Sequence, residues 1–164
     1  MPEKYNLLNK FRPRDINLLL GAGQKEYNTT FKKSGETSSL FYNNNDVNLK
    51  IINITIKTMS NICRIYVPNK VKIQFCKIDV EGSEKNVLLG YDFENYRPKV
   101  FCIESIMYLN TNNYQHKEWE YILLKNDYIF AYQYGRNRFY YDNRIIGLKE
   151  KFKKIDYYIK NYKK

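Results

Sequence analysis

The chain has 164 residues, enough for one domain with a buried core but not for two. Its 28 lysines and arginines against 17 acids give a formal net charge of +11, which favours anionic partners such as nucleic acid, anionic lipid or sugar phosphates. The heavy use of Lys, Asn, Ile and Tyr is also what an AT-rich coding bias produces, and we favour that explanation over a dedicated polyanion site. The single histidine, His116, excludes sites built from several histidines.

The cysteines and the N-terminal sequence indicate in which cellular compartment the protein is expected. Cys63, Cys76 and Cys102 are far apart and form no C-x-x-C pair, which fits a reducing cytoplasm. The N-terminus has no stretch resembling a signal peptide, and no window approaches the roughly 18 apolar residues of a membrane span. We therefore expect a soluble, cytoplasmic protein. No RNA-binding signature, zinc-knuckle spacing or helix-turn-helix pattern indicates a nucleic-acid partner.

The first half of the chain predicts mainly strands. The run INLLL at 16–20, stopped by two glycines, predicts a buried strand. Residues 34–46 are polar and predict a loop with an edge strand at Leu40 to Tyr42. Residues 49–59 alternate and are rich in β-branched side chains, which predicts another strand, and VKIQFCKIDV at 71–80 is apolar enough for a central one.

The second half alternates helices with strands. Residues 83–91 predict a short helix with a serine cap and a glycine stop, and residues 99–105 a second buried strand. A helix is predicted at 116–127, followed by a hairpin around Gly135. The apolar face of that helix consists of Trp119, Ile122 and Leu123. The order predicts an α/β fold with parallel central strands, in which chemistry gathers beyond the carboxyl ends of the strands.

The last sixteen residues form a basic segment. From Lys149 to Lys164, seven lysines against two acids supply +5 of the net +11. Apolar residues recur at spacings of 3, 4 and 3, which predicts an amphipathic helix: Phe152, Ile155, Ile159 and Tyr162. We favour a C-terminal helix docked on the domain with a solvated lysine face over an interfacial helix on anionic lipid.

Acidic side chains follow two neighbouring predicted strands. In KIDVEGSEKNVLLG, residues 77–90, Asp79 and Glu81 come directly after one strand, and Glu104 ends the next. Acids are common in loops and in the first turn of helices, where the helix dipole favours them, so the cluster alone is a weak signal. We assign Glu84 to that ordinary role.

The ordered strings carry more information than the acids alone. FCKIDVEGSEKNVLLG is followed by YRPKVFCIES, then a helix, NDYIFAY and NRFYY. This order, above all K-I-D-V-E-G-x-E with R-P-K-V and a Glu ending the next strand, resembles the FkbM family of S-adenosylmethionine-dependent methyltransferases. The resemblance runs from about Pro2 to Tyr141, with supportive matches in INLLLGAGQKEYNTTF and SGETSSLF. At Met59, Ser60 and Asn61 the chain departs from the family's threonine-leucine-aspartate stretch, so an acid normally supplied there is missing.

The resemblance implies a Rossmann-like class I methyltransferase sheet with a C-terminal antiparallel hairpin and a basic terminal helix. We expect this α/β sheet to be incomplete, with its first two strands missing. Residues 1–147 would form the methyltransferase domain and residues 148–164 the basic helix. The first fifteen residues contain no glycine, and GAG at 21–23 follows what corresponds to the third strand, so the glycine-rich cofactor turn is absent. An upstream polypeptide or self-association would then complete the fold.

The resemblance also implies the chemistry: methyl transfer from S-adenosylmethionine to a hydroxyl of a glycan or small metabolite. We expect Asp79, then Glu81, to act as base or orienting group, with Glu104 as partner across the crevice. Substrate-side residues would be Lys77, Gly82, Ser38 and Ser39. Lys77 and Arg97 would otherwise neutralise the acids as ordinary ion pairs, and the same acids suit a divalent cation, although nothing in their spacing demands one.

Two alternatives remain open from the sequence. The chain would be an inactive remnant or binding module if it keeps the acceptor side without the cofactor site. It would be a basic protein of nucleic acid or membrane surfaces if the charge itself is functional.

Overall fold

The computed structural model describes residues 2–34, 37–39, 50–105 and 116–162. Within these ranges, side chains are described except at residues 31–34, 37–39, 50, 156, 159, 160 and 162. The helices are α1 (Pro2–Phe11), α2 (Met59–Tyr66), α3 (Glu84–Leu89), α4 (His116–Leu124) and α5 (Leu148–Tyr162). The strands are β1 (Gly21–Ala22), β2 (Tyr27–Ser34), β3 (Thr37–Ser39), β4 (Lys50–Lys57), β5 (Phe75–Ile78), β6 (Val100–Glu104), β7 (Tyr128–Tyr134) and β8 (Asn137–Asp142).

The first sheet has the strand order β1-β4-β2-β3. Its longest pairing is the antiparallel one between β2 and β4, which runs from Tyr27 opposite Ile56 to Lys33 opposite Lys50. β1 adds two residues in parallel to β4. The alternating β-branched residues of β4 suit this half-buried sheet, since Ile56 is buried while Ile51 remains exposed.

The second sheet has the order β5-β6-β8-β7. β5 and β6 are parallel, whereas β6 with β8 and β8 with β7 are antiparallel. Gly135 makes the hairpin turn between β7 and β8 with φ of +56°, a left-handed conformation that glycine adopts without strain. β5 therefore lies at one edge of its sheet, next to a parallel neighbour on one side only.

The hydrophobic core lies between the second sheet and helices α3 and α4. Its largest fully buried side chains are Phe101 and Tyr140 from the sheet, Trp119 from α4 and Tyr128 from β7. These rings meet edge to face, as Trp119 does with Tyr140 at 5.9 Å between centroids. The core thus holds β6 rigidly, and with it the acid at its carboxyl end.

The two sheets meet through close backbone contacts at Gly90. Its carbonyl oxygen accepts hydrogen bonds from the Ser60 backbone N–H at 3.0 Å and the Ser60 hydroxyl at 2.8 Å. A Cβ atom on Gly90 would lie 2.1 Å from the carbonyl oxygen of Gly23. Glycine is therefore required where the end of α3 packs on the loop after β1.

The mixed α/β architecture is confirmed, as are the predicted strands within 49–59 and 99–105, the helices within 83–91 and 116–127, the hairpin and the C-terminal helix. The described strands form two four-stranded sheets rather than one continuous sheet. Two predictions are wrong in detail. Residues 16–20 form no strand, because Ile16 and Leu19 are exposed and only two later residues pair with β4. The strand at 71–80 is shorter and lies at an edge, with Phe75 exposed.

Helix α2 was not predicted from the sequence. Thr58 caps it by accepting a hydrogen bond from the Asn61 backbone N–H at 3.1 Å. A threonine at the end of a strand-like run is a helix start signal that could have located this helix. The proposed edge strand at Leu40 to Tyr42 lies outside the described residues.

Helix α5 docks on the hairpin. Phe152 stacks on Tyr141 with ring centroids 5.3 Å apart and lies 6.0 Å from Tyr132. This contact confirms that the C-terminal helix packs on the domain. Among the described residues, no helix is both long and apolar enough to cross a membrane.

Candidate acceptor site

Three carboxylates come together where β5 and β6 end. The parallel register pairs Ile78 with Ile103, so the next residues along the two strands, Asp79 and Glu104, lie side by side. Glu81 joins them from the turn after β5, and one oxygen from each of the three carboxylates lies within 4.8 Å of the others. The predicted grouping of these acids at the carboxyl ends of parallel strands is thus seen in the structure.

The turn that carries Glu81 is held in an uncommon backbone conformation. Glu81 has φ of +50° and Gly82 φ of +101°, and the left-handed region is costly for a side chain such as that of Glu81. Glu84 stabilises this turn, because its Oε1 accepts hydrogen bonds from the backbone N–H groups of Val80 at 3.1 Å and Gly82 at 3.3 Å. Glu84 is almost fully buried, and burial raises its pKa although these backbone hydrogen bonds oppose the shift. Its role is structural.

Asp79 is held ionised by its neighbours. Lys77 Nζ lies 3.0 Å from Asp79 Oδ2 and also donates a hydrogen bond to Asn137 on β8. Partial burial raises the pKa of Asp79, but its hydrogen bonds with Lys77 and Glu104 outweigh that effect, so the net shift is downward. Asp79 therefore carries a negative charge at neutral pH and has little tendency to take up a proton.

Glu104 has the opposite character. Burial is the main cause that raises its pKa, the adjacent Asp79 raises it further, and the pKa reaches about 7 despite the Arg136 guanidinium. Arg136 forms an ion pair with Glu104, and its carbonyl oxygen accepts hydrogen bonds from the Ser105 backbone N–H at 2.8 Å and hydroxyl at 3.0 Å. The two acids thus have pKa values pushed apart, an arrangement typical of acid-base sites.

Sequence reasoning missed Arg136. It lies at the hairpin turn, beside Asn137, which pairs with Glu104 across the antiparallel β6 and β8 strands. The register of the β6–β8 pairing brings the Arg136 guanidinium to the Glu104 carboxylate. The register between strands that are far apart in sequence cannot be predicted from either segment alone.

The carboxylate cluster has the ligand type that a hard divalent cation prefers, since Asp79, Glu81 and Glu104 all offer oxygen atoms. Two of the three acids already have cationic partners in Lys77 and Arg136. A metal ion would therefore have to displace or share these ion pairs, and the geometry does not favour it over them.

The remaining predicted site residues are dispersed. Gly82 and Lys77 lie beside the cluster, in the turn and on β5. Ser38 and Ser39 belong to β3 of the first sheet, where Ser38 pairs with Lys33 of β2, and their side chains lie outside the described part of the chain. Their assignment to the substrate side stays a prediction.

Arg97 of the R-P-K-V string does not neutralise the cluster. Its guanidinium donates to both carboxylate oxygens of Asp142 at 2.9 and 3.0 Å and to the carbonyl oxygens of Phe93 and Asn126. It also lies 4.6 Å from the centre of the Tyr128 ring. Arg97 therefore ties the segment before β6 to the β7-β8 hairpin, which is a structural role.

A cavity of about 220 Å³ lies between the first sheet and the start of α3, two residues along the chain from Glu81. Ser83 and Asn86 line it on the side of the Glu81 turn, and Ile56 and Tyr27 on the side of the first sheet. The loop after β1 completes the wall with Ala22, Gly23, Gln24 and Lys25. The cavity is smaller than most small-ligand pockets, and its lining combines polar side chains with some apolar surface.

The glycines of GAG make close contacts with β4. A Cβ on Gly21 would lie 2.5 Å from Ile56 Cδ1, and one on Gly23 would lie 2.8 Å from Ile56 Cγ2. These glycines allow the loop to pack on β4. The described residues therefore bring three carboxylates together but do not fit the glycine-rich turn that would hold a methyl donor.

The fold and site define an α/β protein with an acidic crevice at the ends of parallel strands. The sequence model of the Methyltransferase FkbM domain matches residues 3–130, most of the chain. The chain therefore belongs to the FkbM methyltransferase family, as the strings around D-V-E-G indicated. Comparisons with curated proteins and with solved structures find no significant match.

Proposed function

We propose that this chain takes part in methyl transfer from S-adenosylmethionine to a hydroxyl group of a glycan or small metabolite. The observation that carries the proposal is the cluster of Asp79, Glu81 and Glu104 at the ends of β5 and β6, in a chain of a methyltransferase family. When bound, S-adenosylmethionine supplies an electrophilic methyl group. The residues of this chain have to orient the acceptor oxygen and remove its proton.

Glu104 is a better general base than Asp79. A base works best when its pKa lies near the working pH, and the pKa of Glu104 is about 7 whereas that of Asp79 is lowered. Asp79 instead raises the basicity of its neighbour and accepts a hydrogen bond from the acceptor. This assignment reverses the roles expected from the sequence while keeping the same residues.

The acceptor enters by the turn at Glu81 and Gly82. Gly82 has no side chain, so a ligand can approach its backbone. The cavity beside Ser83 and Asn86 receives the rest of the acceptor, because its amide and hydroxyl side chains suit the hydroxyl groups of a sugar. Lys77 stays with Asp79 and fixes its orientation.

The donor side comes from outside the described residues. Among the described strands, β5 pairs only with β6, so its other edge is open to additional strands from an upstream polypeptide or a second copy. Such a partner brings a glycine-rich turn to the side of the crevice opposite Glu104. Methyl transfer by this chain then depends on that partner.

A second candidate is a binding module that retains the acceptor crevice without transferring a methyl group. The packing of Gly21 and Gly23 against Ile56 favours it, because these contacts within the protein explain both glycines without a bound methyl donor. The two candidates differ in one property: the module binds the acceptor and leaves S-adenosylmethionine unchanged.

The test is incorporation of labelled methyl groups from S-adenosylmethionine into glycan and small-metabolite extracts, with and without a supplied donor-side polypeptide. Glu104→Gln removes the proton acceptor, so incorporation should fall by roughly 100-fold or more. Glu94→Gln, an exposed acid in the loop after α3, is the matched control and should leave incorporation unchanged. Wild-type activity should rise with pH through about 7. Equal activity of the Glu104→Gln variant would overturn the assignment of the base.

A further inference from the structure

Helix α5 has two faces of different character. Phe152 packs on Tyr132 and Tyr141 of the hairpin, which fixes the inner face. Lys153, Lys154, Tyr157 and Tyr158, with Glu150, line an open groove of about 430 Å³ on another side of the helix. The helix is therefore held in one orientation with a second face available.

The groove combines exposed aromatic side chains with lysines, whereas the solvent-facing side of a helix usually carries polar and charged residues alone. Tyr157 and Tyr158 are 59% and 61% exposed and lie with their rings 6.1 Å apart, directly beside two lysines. Exposed tyrosine places an apolar ring and a polar hydroxyl together, which suits the boundary between water and lipid. Lysine beside it can lay its apolar stem on the same boundary while its ammonium group meets a phosphate.

The loop before α5 carries an exposed aliphatic side chain, Ile146. Ile146 is 100% exposed, so in water it has nothing to bury against. Arg144, two residues earlier, is about half exposed. An aliphatic side chain between basic groups gains free energy if it enters the acyl region of a membrane.

We propose that the outer face of α5, together with Ile146, binds the surface of a bilayer that contains anionic phospholipids. The charge is complementary, because residues 149–164 hold seven lysines against two acids. A nucleic acid would also attract the lysines, but it offers Ile146 no apolar environment. The exposed isoleucine therefore favours a lipid bilayer over a nucleic acid as the partner. The protein would bind to the surface of the bilayer without crossing it.

The experiment is sedimentation of the full chain with vesicles made of equal parts phosphatidylglycerol and phosphatidylcholine, compared with pure phosphatidylcholine. Binding is expected only to the anionic vesicles and should weaken as salt is raised. The double variant K153Q/K154Q should lower the affinity roughly 30-fold, since each lysine near an anionic surface contributes about a fivefold factor. The matched control K70Q/K72Q removes two exposed lysines outside α5 and should bind like the wild type.

A further variant separates lipid from other anions. Ile146→Ser should lower vesicle affinity about tenfold without changing the salt dependence, because it removes apolar insertion and no charge. Absence of wild-type binding to anionic vesicles overturns the proposal, as does an equal loss in K70Q/K72Q, which would indicate diffuse charge. Tighter binding to a single-stranded oligonucleotide than to vesicles, with Ile146→Ser at wild-type affinity, overturns it in favour of nucleic acid. Circular dichroism checks that each variant is folded.

Discussion

Glu104 is the residue of the acidic cluster whose pKa lies closest to neutral pH. It is almost fully buried at the end of β6, between the Asp79 carboxylate and the Arg136 guanidinium. The sequence placed this acid correctly because its position at the end of an apolar strand is a local property. Its elevated pKa depends on Asp79, which follows a different strand, and on Arg136 from the hairpin, so it became apparent only in three dimensions.

The pKa of Glu104 has a consequence for stability. The pKa of Glu104 in the folded protein is about 7, so it keeps this proton up to about that pH, whereas an unfolded glutamate loses it near its usual pKa of 4.5. The unfolded state therefore binds fewer protons between these values, and the contribution of Glu104 makes the protein less stable as pH rises through that window. Glu104→Gln should remove this loss, so that the variant gains stability relative to wild type between pH 5 and pH 7.

Urea unfolding at a series of pH values measures this difference. Glu94→Gln again serves as control and should follow the wild-type curve. A constant offset between wild type and Glu104→Gln across the whole window would show that Glu104 titrates normally.

Arg97 belongs to the R-P-K-V motif that resembles the family, and its role is to stabilise the fold through Asp142. Its partner Asp142 has a side chain only 5% exposed, and Arg144 Nε lies 3.4 Å from the same carboxylate. Arg97→Ala should lower the free energy of unfolding by about 3 kcal/mol, because it leaves a buried carboxylate with one weaker partner. Arg144→Gln should cost less than about 1 kcal/mol, since this arginine is half exposed. Chemical denaturation of both variants checks the contrast, and similar losses would contradict the structural role of Arg97.

At the level of elements, the contact between α3 and the loop after β1 joins the two sheets. The Cβ atom of a Gly90→Ala variant would lie 2.1 Å from the Gly23 carbonyl oxygen. This oxygen belongs to the backbone, which cannot move aside at low cost. We expect a loss of about 3 kcal/mol or more in the free energy of unfolding. Gly135→Ala, at φ of +56° in open space, should cost only about 1 kcal/mol. Thermal unfolding of the two variants compares them, and a smaller loss at Gly90 would contradict this packing.

The elements also show what sequence patterns can locate. Helix α4 was predictable because its buried residues recur at helical spacing, and strand β6 because its short unbroken apolar run is typical of a strand buried on both faces. The prediction for residues 16–20 failed because four apolar residues around Asn17 define no clear period, and the chain exposes Ile16 and Leu19 instead of pairing this run in a sheet. Strand β5 was found, but its edge position depends on which strands pair with it, which no single segment specifies.

At the level of the whole molecule, the open side of β5 is a candidate for association. Phe75 in β5 is 53% exposed, as is Val71 four residues before the strand, and edge strands offer unpaired backbone groups to other chains. We expect the purified chain to self-associate, with Phe75→Lys shifting it towards monomer because a charge at an edge opposes pairing. Light scattering measures the mass of both, and a monomeric wild-type chain would contradict this expectation.

The central claim is that a methyl donor meets the crevice formed by Asp79, Glu81 and Glu104. Calorimetric titration with S-adenosylmethionine tests it most directly, first on the chain alone and then on the chain with a polypeptide that supplies a glycine-rich turn. The account predicts saturable binding in at least the second titration, with Glu104→Gln binding the donor as the wild type does. Absence of binding in both titrations would contradict the proposed methyltransferase function.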